Sequence, residues 1–482
     1  MRSDIIRRHA FRKILISLTI LLVLLTVSDS LAAGFKALIN SSDDKVEINL
    51  TDASNSYNTD LIYYNHIDLF KEAFPKGAIS FMSEAYSTLA VEGTALHVKV
   101  DLTDEAYFSY SGLKITQGAY FGADALKYGR NVAVISEKMA EQLFMSLNAV
   151  GNEIRLFDES YVIVGLYRKS ETLTSFIGSD GYERIYVPFT SHKDMENLPI
   201  NTVFIQDKSL IKEKFKQNTI GNILIEEIGI DVSAYRIIDY YRSETMVSQW
   251  LELFLFIVAI WIGIMLLKAV GMVMQKIIPL TRNYLKENYF FEFIRKKYLF
   301  LISFAGAILL LLGGAVVIFM YARPHIFIPE KYIPQDNIFD MGFYLDRIKD
   351  AVYSANAMRT YVPTLIEQSF HSSAVINALI AMLMIPVLIS LNSGLKLLSS
   401  LCEPLKAHAK VLILSYASAL LLIMLISSTG VIDLVFPLKS IIVVSIFLIV
   451  NIVTRSRRFH GSLPEGAVTP VTGGVNSFRQ LR

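Results

Sequence analysis

The sequence predicts a membrane protein: an α-helical bundle of about six transmembrane spans, with an α+β extracytoplasmic domain inserted after the first span. Three observations predict it. Of 482 residues, 53% are hydrophobic and only 19% are charged, which is more apolar than an ordinary soluble chain of this length. The apolar excess is gathered into six runs near the ~20 residues that a helix needs to cross a bilayer with its backbone groups paired internally. Between the first and second runs, residues 34–248 read as ordinary globular sequence.

The six runs are 14–33, 251–274, 298–320, 374–395, 411–427 and 438–453. The last two are the shortest. They are joined by a partly apolar connector, 428–437, and read as a tight hairpin. Orientation follows from Lys and Arg in the short flanks. Arg2, Arg7, Arg8, Arg12 and Lys13 hold the N-terminus in the cytoplasm. The loop 275–297 is inside with six Lys or Arg residues, among them Lys286, Arg295 and Lys296. The loop 396–410 is inside with three Lys, and the C-terminus with Arg455, Arg457 and Arg458. The loop 321–373 is then outside, where acidic residues outnumber basic ones. Six spans satisfy the rule with none dropped.

Residues 1–33 therefore form a cytoplasmic segment and first span. A cleavable signal peptide is the alternative for this run, because a basic start and an apolar core are followed by Ser30-Leu31-Ala32-Ala33. Apolar character resumes at Leu31 and completes a full span, which favours a retained anchor, although Asp29 interrupts it. Residues 249–455 form the bundle. Residues 456–482 read as a disordered cytoplasmic tail, rich in Gly, Pro, Ser and Thr beyond residue 461.

Inside 34–248, strand-like and helix-like segments alternate. Residues 131–135 are β-branched and apolar, and Ser136 is a good N-cap for a helix over 137–144. Residues 154–157 and 161–166 read as a hairpin closed by Asp158, Glu159 and Ser160. Further strands are expected at 95–100, 184–187 and 202–205, and helices at 65–73 and 210–218. With one cysteine, Cys402, no internal disulfide forms, so the domain depends on its own core, which its length permits.

Five pieces of this domain occur in a telling order: GLKITQGAYF at 112–121, NVAVISE at 131–137 followed by Ala140, Leu143 and Phe144, VGNEI at 150–154, YVIVG at 161–165, and RIYVP at 184–188. In order and spacing they resemble the periplasmic core domain of MacB/FtsX-like ABC transporter permeases, closely over 101–190 and more loosely over 65–249. The resemblance implies a permease subunit in a bacterial cytoplasmic (inner) membrane, working as a homo- or heterodimer with a separate cytoplasmic ABC ATPase subunit. ATP-driven motion of that ATPase would move the external domain, in export of a lipid, peptide, antibiotic or lipoprotein. An alternative is an FtsX-like regulator that activates an external protein partner, or a scaffold that has lost ATPase coupling.

One departure favours the alternatives. The family carries R-x-x-E-[IF]-G-x-x-[RK]-A-x-G between its second and third spans, where it docks on the ATPase. Here residues 280–293 read LTRNYLKENYFFEF. The position of this loop in the family makes Tyr289, Phe290, Phe291 and Phe293 the candidate ATPase contacts. As plain sequence, the same segment reads as an interfacial helix with its aromatics in membrane lipid.

Other chemistry is not encoded. There is no G-x-x-x-x-G-K-[ST], so nucleotide hydrolysis falls to a partner. The eight His residues lack H-E-x-x-H or any ligand spacing, and no G-x-S-x-G is present. A net charge of +2 provides no basic face for nucleic acid. We expect no catalytic residue, no cofactor and no metal site. Within the spans, Lys268 reads as a snorkelling anchor. Asn377 and Asn392 share a run with Pro386, which is expected to kink it, and read either as interhelical glue or as part of a flexible gate.

Overall fold

The computed structural model describes residues 2–460 apart from 41, 43, 51–60, 92–93, 169–171, 179–180, 213–215, 231–234, 287–288, 330–331, 335–336, 358–363, 402–404 and 429–433. In chain order the elements are α1 (Arg2–Leu38), β1 (Lys45–Leu50), α2 (Ile67–Ala73), β2 (Ala78–Val91), β3 (Thr94–Thr103), α3 (Ala106–Ser111), β4 (Lys114–Gly118), α4 (Ala123–Lys127), β5 (Val132–Ser136), α5 (Glu137–Phe144), β6 (Glu153–Leu156), β7 (Glu159–Arg168), α6 (Leu173–Ile177), β8 (Glu183–Pro188), β9 (Thr202–Gln206), α7 (Lys216–Ile223) and β10 (Tyr235–Asp239). Six long helices complete the chain: α8 (Tyr240–Leu285), α9 (Phe290–Tyr321), α10 (Met341–Ala357), α11 (Leu365–Ser400), α12 (Leu405–Ser427) and α13 (Leu438–His460).

Six of these helices (α1, α8, α9, α11, α12 and α13) are long and apolar enough to cross a membrane. α1 lies at the centre of the bundle, against α8, α11 and α12. More than half of its apolar stretch is buried, whereas none of that of α9 is. Polar side chains bind the helices together, since lipid offers them no partner. Ser17 bonds Ser390 at 3.0 Å and Thr19 bonds Ser418 at 2.7 Å. Asn377 donates to the Val247 carbonyl of α8 at 3.0 Å, and Asn392 accepts from Asn451 of α13 at 2.9 Å. Both asparagines thus act as interhelical glue. Pro386 lies within α11, which is helical through it.

The strands form one mixed ten-stranded sheet in the order β10-β1-β9-β2-β3-β8-β5-β7-β4, with β6 also paired to β7. The pairs β3–β8 and β5–β7 are parallel and the others antiparallel. The main core includes Val46 and Ile48 of β1, Val98 and Val100 of β3, Ala133 and Ile135 of β5, and Phe70 of α2. Ser136 caps α5 as expected, accepting from the Met139 amide at 3.1 Å.

The structure corrects several expectations. The hairpin turn is Phe157-Asp158, because Leu156 pairs with Glu159. Both turn residues have positive φ, 51° and 62°, as a two-residue type I′ hairpin requires. The helix expected over 210–218 is a 3₁₀ turn at Lys208–Lys212 followed by α7 from Lys216. The loops expected at 275–297 and 396–410 are mostly helix, because α8 reaches Leu285, α9 starts at Phe290, α11 reaches Ser400 and α12 starts at Leu405. Hydropathy marks where lipid would end, but polar residues with good helix propensity extend the helix beyond that point. The external loop contains α10, and α13 continues to His460; the rest of the expected tail, 461–482, lies outside the described residues.

The same contacts fix sides. After α9 the chain returns to the domain end of α8, where the His325 amide donates to Glu252 at 2.7 Å. The first turn of α11 pairs with the domain through Glu367 and Arg236. The segment carrying α10 therefore lies on the domain's side of the bundle.

Candidate functional site at the membrane–domain junction

The chain passes from bundle to sheet almost without a linker. α1 runs on to Leu38, and Asn40, with φ of 42°, turns the backbone out of the helix five residues before β1 starts at Lys45. α8 begins at the residue after β10. β1 and β10 are neighbours, with Val46 opposite Asp239. The outgoing and incoming helices are thus joined through adjacent strands. α11 adds a third rod, whose first turns rise beside them.

These parts close on one apolar cluster. Phe35 of α1 and Ile39 just after it, Tyr240 and Val247 of α8, and Ile366 and Phe370 of α11 pack with Met82, Tyr110, Phe204 and Ile238 of the domain. Phe35 and Phe370 lie 5.9 Å apart between ring centroids, and Tyr110 lies 4.8 Å from Phe204 and 5.7 Å from Tyr240. Phe35 is fully buried.

A polar layer surrounds the cluster. β1 reads Lys-Val-Glu-Ile-Asn-Leu, a strict alternation that places Val46, Ile48 and Leu50 in the main core and turns Lys45, Glu47 and Asn49 to the other face. That face is buried as well, beneath the membrane helices. Lys45 donates to the carbonyls of Asn40 at 2.9 Å and Tyr110 at 3.0 Å, and lies 4.7 Å from the Tyr110 ring centroid. Burial lowers its pKa. The Tyr240 hydroxyl donates to Glu47. Burial pushes Glu47 up to about 7, against the lowering effect of its hydrogen bonds with Tyr240 and Asn49. Asn49 donates to Thr364 just before α11 at 3.3 Å, Arg236 of β10 pairs with Glu367 of α11, and Lys36 of α1 pairs with Glu244 of α8 at 2.7 Å.

α6, in the crossover from β7 to β8, is wedged between two of the rods. Thr174 donates to the Leu31 carbonyl of α1 at 2.9 Å. Glycines permit the close approach: a Cβ on Gly34 would lie 2.8 Å from Thr174 Oγ1, and one on Gly178 would lie 2.8 Å from the Ser369 Cβ of α11. Farther from the bundle, Arg184 of β8 is 3.1 Å from Asp101 of β3 and 3.1 Å from Glu84 of β2, and Lys99 is 3.4 Å from Glu84. Burial raises the Asp101 pKa and Arg184 opposes that rise. This cluster binds three strands into one body. In physical terms, the junction ties three long apolar helices to the sheet through buried side-chain contacts.

The sequence candidates lie elsewhere. Tyr289 precedes α9 and is 84% exposed, at the opposite end of α8 from Tyr240, roughly 70 Å along the 46-residue helix. Phe290, Phe291 and Phe293 occupy the start of α9, and their side chains lie outside the described residues. Sequence reading missed the junction residues. The alternation at 45–50 was the available signal, but a polar strand face carries no local sign that other helices cover it.

Residues 14–213 match the family model of the MacB-like periplasmic core domain. An uncharacterized ABC transporter permease, YknZ of Bacillus subtilis (strain 168), is 31% identical over 90 residues, 19% of this chain and 22% of that protein. The macrolide export ATP-binding/permease protein MacB of Neisseria gonorrhoeae is 21% identical over 160 residues, 32% of this chain and 24% of the relative. The matched region thus spans less than a quarter of each relative's length. Among solved structures, the periplasmic region of MacB from Actinobacillus actinomycetemcomitans is similar at 13% identity and a TM-score of 0.35, covering 43% of this chain and 92% of that one.

Proposed function

We propose that this chain, whose extracytoplasmic domain belongs to the MacB-like periplasmic core family, is the permease subunit of an ABC-type transporter or mechanotransmission complex. A separate cytoplasmic ATPase supplies the energy, and the chain itself catalyses no reaction. Two permease chains assemble with the ATPase in a bacterial inner membrane, with both termini cytoplasmic, and the cargo is a lipid, peptide, antibiotic or lipoprotein. One observation carries the reading: α1, α8 and α11 enter the junction as continuous helices and share the cluster around Phe35, Tyr240 and Phe370. Tilting of the bundle is therefore passed to the sheet, most directly through α8, which begins at the residue after β10. The exposed Tyr289, with Phe290, Phe291 and Phe293 beside it in sequence, supplies an ATPase contact at the far end of the same rods.

A second reading, an FtsX-like regulator of an external partner or an uncoupled scaffold, is favoured by the absent docking motif in 280–293. Copurification separates the two. An ABC ATPase should accompany the tagged chain, and Phe290→Ala with Phe291→Ala should abolish that yield while insertion is retained, since aromatic anchors each contribute about 2 kcal/mol or more to such contacts. An ATPase retained at full yield by the double variant removes the proposed contact. Absence of any ATPase from the native chain's complex favours the second reading.

A further inference from the structure

We infer that the cavity between the first turns of α8 and the segment following α9 is a binding site for the phosphate head of an anionic lipid drawn from the extracytoplasmic leaflet. The inference needs only the side on which the domain lies and not the coupling to an ATPase.

The cavity measures about 620 Å³, within the range of small-molecule sites. Lys216, Arg242 and Arg323 bring three cations to its wall, and Asp239 brings one carboxylate. Lys216 and Arg242 each lie 3.3 Å from Asp239. Arg242 also lies over the Phe327 ring, 4.8 Å from its centroid, which holds the guanidinium against the opposite wall. The His325 imidazole faces the cavity but is engaged by Glu252 at 3.2 Å. Arg323 is exposed and has no ionic partner among the described residues. A guanidinium in that setting matches the oxygens of a phosphate in a two-pronged geometry.

Two features favour a lipid over a soluble anion. The cavity stands at the membrane surface: Thr245 lines it, and the apolar run of α8 begins at Leu251, roughly 9 Å lower along the helix. Its other wall starts two residues after α9 ends at Tyr321. Cations at this level lie at the depth of lipid phosphates, to which a guanidinium can donate directly. The lining is also partly apolar and open, with Ile326 53% exposed and Ile211 48% exposed, as suits the glycerol and upper acyl carbons of a lipid rather than a fully hydrated ion.

Native mass spectrometry of the full-length chain in detergent, titrated with phosphatidylglycerol, phosphatidylcholine or inorganic phosphate, tests this. Phosphatidylglycerol should bind more tightly than phosphatidylcholine, and phosphate in excess should not displace it. Arg323→Glu should weaken phosphatidylglycerol binding about tenfold or more, the loss of one charge-assisted contact, while Arg323→Lys retains most of it. Ile326→Ser should weaken lipid binding and leave any phosphate binding unchanged. Thermal melting of each variant confirms the fold, which an exposed side chain does not govern. Equal affinity for both lipids, no response to Arg323→Glu, or displacement of the lipid by phosphate alone would overturn the proposal.

Discussion

Truncating Phe35 to Ala tests whether the junction is a distinct unit resting on the domain. The ring is fully buried at the end of α1, apart from the main core, and meets Phe370 at 5.9 Å. Removing a buried Phe costs about 3–5 kcal/mol, of which the ring pair accounts for about 0.5–1.5 kcal/mol. Because each 1.4 kcal/mol is a factor of ten, amides at the end of α1 and the start of α11 should exchange about a hundredfold to a few thousandfold faster. Amides of β5 and β7, which rest on the main core, should keep their rates. Phe370→Ala should have a smaller effect, since that ring is half-buried, and the two changes together should cost less than their sum by the pair energy. Hydrogen exchange read by mass spectrometry on the full chain supplies both numbers. If β5 and β7 lose protection by the same factor, junction and domain unfold as one unit and the reasoning fails. It fails equally if α1 and α11 are unchanged.

Four further outcomes follow from the geometry. Arg184→Ala removes the cation paired with the buried Asp101 and should destabilise the domain by about 3–5 kcal/mol, read by thermal melting. Glu47 and Asp104, both raised to about 7 by burial, hold protons more tightly folded than unfolded. Their contribution is therefore fully present below about pH 4 and is lost as pH rises through about 7; melting temperature should fall across that window, and Glu47→Gln should flatten part of the slope. Gly178→Ala drives a Cβ into Ser369 of α11 and should cost about 1–3 kcal/mol, whereas Gly122→Ala, with φ of −95° and nothing within 4 Å, should stay within about 0.5 kcal/mol. In a Cys402→Ser background, an impermeant thiol reagent applied to intact cells should reach Asp158→Cys and Asp340→Cys but not Lys286→Cys; labelling at 286 alone reverses the topology.

The bundle was legible because a membrane helix declares itself by composition. Each apolar run lies inside one observed helix, and only the ends were misjudged, where polar residues such as Lys286 and Arg295 border or continue the helix beyond the lipid. The domain's middle was legible for a similar reason: β5, β7 and β8 are β-branched and apolar, and three of the five ordered motifs fall on them, the other two meeting β4 and the start of β6. β2 was not found, because Ser80, Ser83, Glu84, Ser87 and Thr88 dilute a 14-residue strand whose polar groups are satisfied by neighbours such as Asn201 and Lys99. β1 escaped for the opposite reason. Its alternation is strict, but Lys45, Glu47 and Asn49 suggest a wet face, and only the arrival of α8 and α11 from distant sequence covers it. The junction is made of such long-range coincidences, which no local pattern reports.

The sheet order also sets a timetable for biosynthesis. β1 is the first strand to leave the ribosome, and its two neighbours, β9 and β10, are the last. Its pairing of Val46 with Asp239 spans roughly 190 residues, so at about 5–20 residues per second the strand waits some ten to forty seconds for its last partner, with both edges unsatisfied until β9 emerges. During that interval an alternating strand tethered at the membrane by α1 is open to pairing with other nascent chains. Extracytoplasmic chaperones should therefore crosslink to Lys45–Leu50 in ribosome-stalled chains that end before Thr202, and release the segment once Asp239 has emerged.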